Sequence, residues 1–504
     1  MTNFDPNDIE HYLGRYSLGR DSNPTNITDS LHFLRVKVPG GFITSDQFRG
    51  VADLVKKYSK GKAEITDRQD IQLHWIDSED ALDVFAVMED LGFTTDMCGQ
   101  GFGGARYGDA RNVICCPASG IEKDEIINGR KIVKELTDFL VGNQDFLDMP
   151  KKFKFSVSGC GSDCVRGITN DLAYVGVKKG DEVGYTLFIG GSAGSTQPGP
   201  RLAKRLNVFI KPEETFDVGI AMIEIHRDHS NRDMKTKARF KWLVNEWGSE
   251  KIKKMVEEKL GKPFEPYTEP AFFKNSNHEG IQQQSQEGRF YFNIPIFGGR
   301  LSNEDMLFFA EIADNYGSGE LRLTPTQNII IPDIENSDEA RIKLEKQNFK
   351  FDGPKLKWSS IGCSSDFCGK TIQPHVKQMV RYVVNHLINS FNIDVLDESG
   401  IIIQANGCPN HCCASSLAEI GLSGMIAKIA GEKTQLYNIV LGGGVGPEAK
   451  LGRVIERGIP HYQIVEKIDS IIENYLKNKK DAEKFRDFCN RHSEEDLKNY
   501  LLKN

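Results

Sequence analysis

The chain carries eleven cysteines, and four of them form two close pairs: Cys363-x4-Cys368 and, 39 residues on, Cys408-x3-Cys412. Thiolates spaced this way bind metal, either a structural zinc or a 4Fe-4S cluster. Zinc knuckles favour C-x2-C, and the wider spacings here favour the cluster. Cys98 and Cys489 stand alone and read as small core hydrophobes. The odd count and tight clustering argue against a disulfide framework. A second signal is Lys152-Phe153-Lys154, two ammonium groups two residues apart on a predicted strand and therefore on one face. Like charges so placed are accommodated by an anion between them or by a solvated strand edge, where lysine is common.

The elements that must position these residues occur twice. Phe33–Ile76 aligns with Tyr291–Ile334 without a gap at an offset of 258, with nine of 44 positions identical, including Gly40/Gly298, Tyr58/Tyr316, Thr66/Thr324 and Gln69/Gln327. Each copy reads as a strand, a Gly-Gly turn, a capping box (Thr44 with Gln47; Ser302 with Asp305), an amphipathic helix and a second strand. In the first copy that second strand is predicted over Ala63–Ile76, which puts Thr66, Arg68, Gln72 and His74 on one face. A second repeat relates SGCGSDC (Ser158–Cys164) to NGCPNHC (Asn406–Cys412). The expected fold is α+β and internally duplicated, a pseudo-twofold arrangement with a large cleft between its halves. A helix is predicted after Cys368, with Ile372, Val376, Met379, Val380, Val383 and Leu387 at helical period. The charged segment Asn474–Asn504 reads as a solvated tail or packing helix.

Composition sets outer limits. The chain has 504 residues, 39% hydrophobic and 27% charged, with net charge -7. That length implies several domains. No apolar run is long enough for a membrane span, and no basic start leads into an apolar stretch, so a cytoplasmic protein is expected. The acidic balance speaks against a nucleic-acid partner. An anionic ligand would need a locally basic pocket.

The run GCPNHC (Gly407–Cys412) resembles the second cluster motif of the nitrite/sulfite reductase family. RVKVPGG (Arg35–Gly41), ITDRQDIQLHW (Ile65–Trp75), RNVICCP (Arg111–Pro117), MPKKFKFSVSGC (Met149–Cys160), KARFKWLVNEWG (Lys237–Gly248), RLTPTQNIII (Arg322–Ile331) and LGGGVGPEAKLGR (Leu441–Arg453) resemble family segments in family order. The resemblance runs from about residue 30 to about 465. It implies a pair of ferredoxin-like half-domains, 1–90 and 281–350, alternating with two larger sirohaem/Fe-S modules, 91–280 and 351–475, and then a helical tail, 476–504.

The resemblance also implies a sirohaem and a 4Fe-4S cluster sharing one cysteine sulfur. Carried over by motif, Cys363, Cys368, Cys408 and Cys412 hold the cluster, and Cys412 is also axial to the sirohaem iron. Arg35, Arg111, Lys152 and Lys154 fall at the substrate positions, where Arg forks and Lys charges suit a small oxyanion. Thr66, Arg68, Gln72, His74, Gln327 and Asn410 fall at cofactor positions. Glu64 stands where relatives often carry a base, and its duplicate is Arg322, so Arg322 is expected to supply that contact. The first cysteine pair is C-x4-C where the family usually has C-x5-C. Cys160 and Cys164 read as a vestigial counterpart of Cys408 and Cys412 without an upstream pair. The implied reaction is six-electron reduction of sulfite to sulfide, favoured over nitrite to ammonia by the Lys-x-Lys pair, with electrons from ferredoxin or a flavoprotein on another chain. A non-catalytic Fe-S carrier or a zinc-binding module would not need the basic quartet.

Overall fold

The computed structural model describes residues 11–12, 14–20, 31–96, 108–194, 199–351, 353–364, 371–372, 374–408 and 410–502. Cys98 and Cys368 lie outside them.

Both capping boxes form. Thr44 Oγ1 accepts from Gln47 N at 3.2 Å while Gln47 Oε1 accepts from Thr44 N at 3.1 Å, starting the helix Ser45–Tyr58. Ser302 and Asp305 exchange the same two bonds at 3.0 and 2.9 Å, starting Asn303–Tyr316. Such a cap stabilises its helix by about 1 kcal/mol. Apolar burial contributes more: Phe48, Val51, Leu54 and Val55 of the first helix are almost fully buried, at roughly 1.5–3 kcal/mol each. The two helices pack on each other across the pseudo-twofold axis.

The two half-domains are interlocked. One sheet runs Gly19–Arg20, Leu31–Lys37, Ile71–Asp77, Lys62–Ile65, and then takes Arg300–Ser302 from the second copy as its edge. The other runs Gly280–Gln283, Phe290–Ile294, Ile329–Ile334, Glu320–Leu323, and takes Phe42–Thr44 from the first. The exchanged pairs are duplicates of each other: Phe42 opposes Arg322, and Arg300 opposes Glu64. A single apolar core therefore contains residues from Tyr16 to Phe93 and from Phe292 to Leu344.

The predicted strand Ala63–Ile76 is instead a hairpin, Lys62–Ile65 and Ile71–Asp77, turning at residues 66–70. Thr66 causes the turn: its Oγ1 accepts from Arg68 N at 3.2 Å and Asp70 N at 3.1 Å, giving the backbone a local alternative to the ladder. Gln69 then sits at φ 59°. The second copy repeats this with Thr324, Asn328 and Gln327 at φ 65°.

The two larger modules share a sheet plan. In the first, Ile114–Cys115 and Phe155–Ser158 run parallel to each other and to Leu172–Lys179, followed antiparallel by Glu182–Ile189 and Lys204–Arg205. In the second, Ile361–Gly362, Ile403–Asn406 and Ile420–Ile429 are parallel, followed antiparallel by Glu432–Leu441 and Arg453–Pro460. The fold is thus α+β and internally duplicated, as expected. The helix expected after Cys368 is Val376–Ser390, starting beyond Ile372. The C-terminal segment is a packing element: Phe485, Phe488, Cys489, Leu497 and Leu501 join the second module's core. Among the described residues no helix is long and apolar enough to cross a membrane.

Candidate active site

Each hairpin turn plugs into its larger module through one glutamine. Gln69 Nε2 donates to Cys115 O at 2.9 Å and its Oε1 accepts from Cys115 N at 2.8 Å. Gln327 Nε2 donates to Gly362 O at 3.0 Å. The first turn thereby delivers Thr66 and Arg68 to a cavity of about 280 Å³ between the half-domains and the two modules.

That cavity collects most of the residues the sequence singles out. Arg35, Arg111, Lys152 and Lys154 line it together with Thr66, Arg68, Gln72, Gln327 and Asn410, and Cys363, Cys408 and Cys412 form part of its wall. Cys412 is exposed while Cys363 and Cys408 are buried. The Gly407 N–H donates to Cys363 Sγ at 3.3 Å. Cys413 is buried in the core and also borders the cavity, its N–H held by Asn406 Oδ1 at 2.7 Å.

The cations are aimed by buried acids. Asp96, fully buried, lies 3.6 Å from Arg35, 3.4 Å from Arg111 and 3.6 Å from Lys37, and those charges hold its carboxyl well below the usual range. Arg35 also donates twice to Gln72 Oε1, at 3.1 and 2.8 Å. Arg68 spends its terminal nitrogens on Asn170 Oδ1 at 2.9 Å and on the carbonyls of Asn112 and Phe155. Lys152 and Lys154 flank Phe153, which bridges to Ala110 just before the strand Phe155–Ser158. Burial, reinforced by Arg68 and Lys152, pushes the Lys154 ammonium down to about 7. Such a group can hold and release a proton near neutrality.

Two expected cofactor residues lie elsewhere. Arg322 does not reach the cavity. It is 2% exposed, pairs with Glu320 at 2.6 Å, donates to the carbonyls of Pro117 and Ser119 at 3.0 and 2.9 Å, and lies over the Phe42 ring. The strand exchange explains this, because opposite Phe42 at the shared edge its guanidinium points into the interface between half-domain and module. Glu64, its duplicate, is likewise consumed by Arg300 at 2.7 Å and Lys377 at 3.3 Å. His74 stands one residue behind the wall, 3.1 Å from Gln72 Nε2.

Sequence reasoning missed Arg239, which lines the cavity and is clamped by both oxygens of buried Asp171 at 3.1 and 2.9 Å. Its signal was present in KARFKWLVNEWG. It also missed Ser192, Ala193 and Gly194 of the first module, the duplicate of LGGGVG, which reach the cavity themselves.

The wall carries six cationic side chains (Arg35, Arg68, Arg111, Lys152, Lys154, Arg239) against the carboxylate of Asp67. Four buried polar atoms of its lining, Arg68 Nε, Arg239 Nε, Gln327 Oε1 and His411 Nδ1, have no hydrogen-bond partner among the described residues. Such a lining fits a polycarboxylate macrocycle, and the adjoining thiolates fit an iron–sulfur cluster. Cations and thiolates on one cavity define a redox enzyme for a small oxyanion.

The comparisons with known proteins narrow the class. The family model for the nitrite and sulphite reductase 4Fe-4S domain matches residues 107–264, and that for the nitrite/sulfite reductase ferredoxin-like half domain matches 27–91 and 281–345. The chain is 28% identical to the assimilatory ferredoxin-dependent nitrite reductase of Haloferax mediterranei, covering 91% of this chain and 81% of that one. It is 28% identical to the sulfite reductase [ferredoxin] of Mycobacterium tuberculosis, covering 95% and 85%. The solved structure of Mycobacterium tuberculosis NirA matches with a TM-score of 0.87 at 26% identity, over 98% of this chain and 92% of that one. The chain belongs to the nitrite and sulfite reductase family. It is an oxidoreductase of that class, whose prosthetic groups are a sirohaem and a 4Fe-4S cluster.

Proposed function

We propose that the chain reduces sulfite to sulfide in the cytoplasm, taking electrons from ferredoxin or a flavoprotein on another chain. The observation that carries this reading is the convergence of Arg35, Arg111, Lys152 and Lys154 on the cavity that Cys363, Cys408 and Cys412 also wall. The ferredoxin-dependent relatives support the donor.

When bound, a sirohaem and a 4Fe-4S cluster would supply the reducing electrons. The chain's own residues do the rest. Cys363, Cys408 and Cys412, with Cys368, would hold the cluster. Arg68, Gln327, Thr66 and Asn410 would hold the macrocycle's carboxylates, Arg68 through its unpartnered Nε. Arg35 and Arg111 grip substrate oxygens, their orientation set by Asp96. In the complete reaction, bisulfite takes up six electrons and six protons to give HS⁻ and three waters. Lys154, with its ammonium near 7, is placed to deliver protons to departing oxygens and be recharged from solvent. Lys152 keeps the local charge positive when Lys154 gives its proton up.

The test is kcat/KM for sulfite against nitrite with reduced methyl viologen, in the wild type and in Lys154→Asn. Sulfite should be preferred by the wild type, and Lys154→Asn should move the ratio toward nitrite. A wild type preferring nitrite would establish the nitrite-to-ammonia reaction instead.

A further inference from the structure

The first module contains its own metal-ligand set, away from the cavity. Cys116, Cys160, Cys164 and His278 are all buried, and their ligand atoms lie within 4.8 Å of one another. Cys160 Sγ stands 3.8 Å from Cys164 Sγ and 3.8 Å from His278 Nε2, and Cys116 Sγ stands 3.2 Å from the same nitrogen.

The set occupies the duplicate of the cluster position. Cys116 N donates to Val157 O at 2.9 Å, as Cys363 N donates to Ala405 O at 3.1 Å. Cys160 follows the strand Phe155–Ser158 by two residues, as Cys408 follows Ile403–Asn406. Both loops then pass through a left-handed residue, Arg166 or Ala414, into a short 3-10 turn. The upstream partner that Cys160 and Cys164 were expected to lack is thus Cys116, the second of the adjacent pair. The fourth ligand comes from far along the chain.

We propose that Cys116, Cys160, Cys164 and His278 bind a single tetrahedral zinc ion. Four ligands about 2.0–2.3 Å from one ion stand about 3.5–3.8 Å apart; Cys160–Cys164, Cys160–His278 and Cys116–His278 stand at 3.8, 3.8 and 3.2 Å, and all four ligand atoms lie within 4.8 Å. A 4Fe-4S cubane fixes each thiolate to a different iron and spreads the sulfurs wider. Closed, buried Cys3His coordination is a structural zinc arrangement. The outer contacts agree. His278 Nδ1 faces Glu122 Oε2 at 3.0 Å, leaving Nε2 for the metal. Glu122 is itself held by Tyr291 OH at 3.0 Å and Lys274 at 2.9 Å. The ion would staple the first module to the second half-domain, since Tyr291 and Ile330 pack against the three cysteines.

The experiment is metal analysis of the purified holoenzyme with zinc-edge X-ray absorption. About one zinc per chain is expected beyond the cluster iron, with three sulfurs near 2.3 Å and one nitrogen near 2.0 Å. His278→Gln and Cys160→Ser should each lose the zinc while the sirohaem and cluster absorption remains. Zinc-free wild type would overturn the assignment. Eight non-haem irons per chain would put a second cluster there, and a Cys160–Cys164 disulfide in the mass spectrum would make it a thiol pair. Wild-type analysis alone decides the matter if the variants do not fold.

Discussion

The two modules hold homologous cysteine loops in opposite environments. In the second, Cys412 is exposed at a cavity wall crowded with cations. In the first, Cys116, Cys160 and Cys164 are sealed against Tyr291 and Ile330, with His278 as neighbour. A thiolate loop facing a cavity can exchange electrons with what binds there. The same loop closed over can only hold an ion in place. The duplication kept the backbone grammar and divided the chemistry.

The comparison can be broken most severely at the open site. Cys412→Ser should abolish anion reduction and remove both chromophores from the visible spectrum, whereas Cys164→Ser should leave those bands in place. Equal loss from both would make the two loops functionally equivalent.

The next effect concerns protons. Lys154→Gln should lower kcat/KM for sulfite about 100-fold, in the range for losing a positioned general acid. With its ammonium at about 7, Lys154 is charged below that pH and neutral above it, so sulfite affinity of the free enzyme should fall as pH rises through 7. In Lys154→Arg the fall should be absent, because guanidinium stays charged. A wild-type pH profile flat across neutrality would remove Lys154 from the proton route.

Arg322→Ala sharpens the contrast between scaffold and site. It should retain full sirohaem content yet lower unfolding stability by about 3 kcal/mol, through two buried carbonyls left unpaired, while Glu320 keeps its pair with Arg130. Sirohaem loss at unchanged stability would return Arg322 to the cofactor. The smallest effect is expected from Phe42→Leu, which removes the ring under Arg322 at 5.3 Å and should cost about 1 kcal/mol in denaturation.

Local grammar was legible in the sequence wherever neighbours in the chain make the structure. Thr44/Gln47 and Ser302/Asp305 announce their helices because a capping box closes within four residues. Lys152 and Lys154 announce a shared face for the same reason. The hairpin at Thr66 was hidden, since a threonine bonding its own backbone looks like an ordinary strand residue. Arg322 was misplaced because its surroundings are set by Phe42, which only strand exchange brings opposite. Asp96 and His278 gave no local sign at all; each acts on residues that the fold, not the chain, puts beside it.

The exchanged edge strands also fix an order of events during synthesis. Lys62 pairs with Ser302, so the first half leaves the ribosome with a sheet edge, Lys62–Ile65, whose partner does not yet exist. That edge stays open to other chains until residue 302 has emerged. Premature termination before that point should therefore yield an aggregating fragment instead of a folded half, and the two halves should be soluble only when made together.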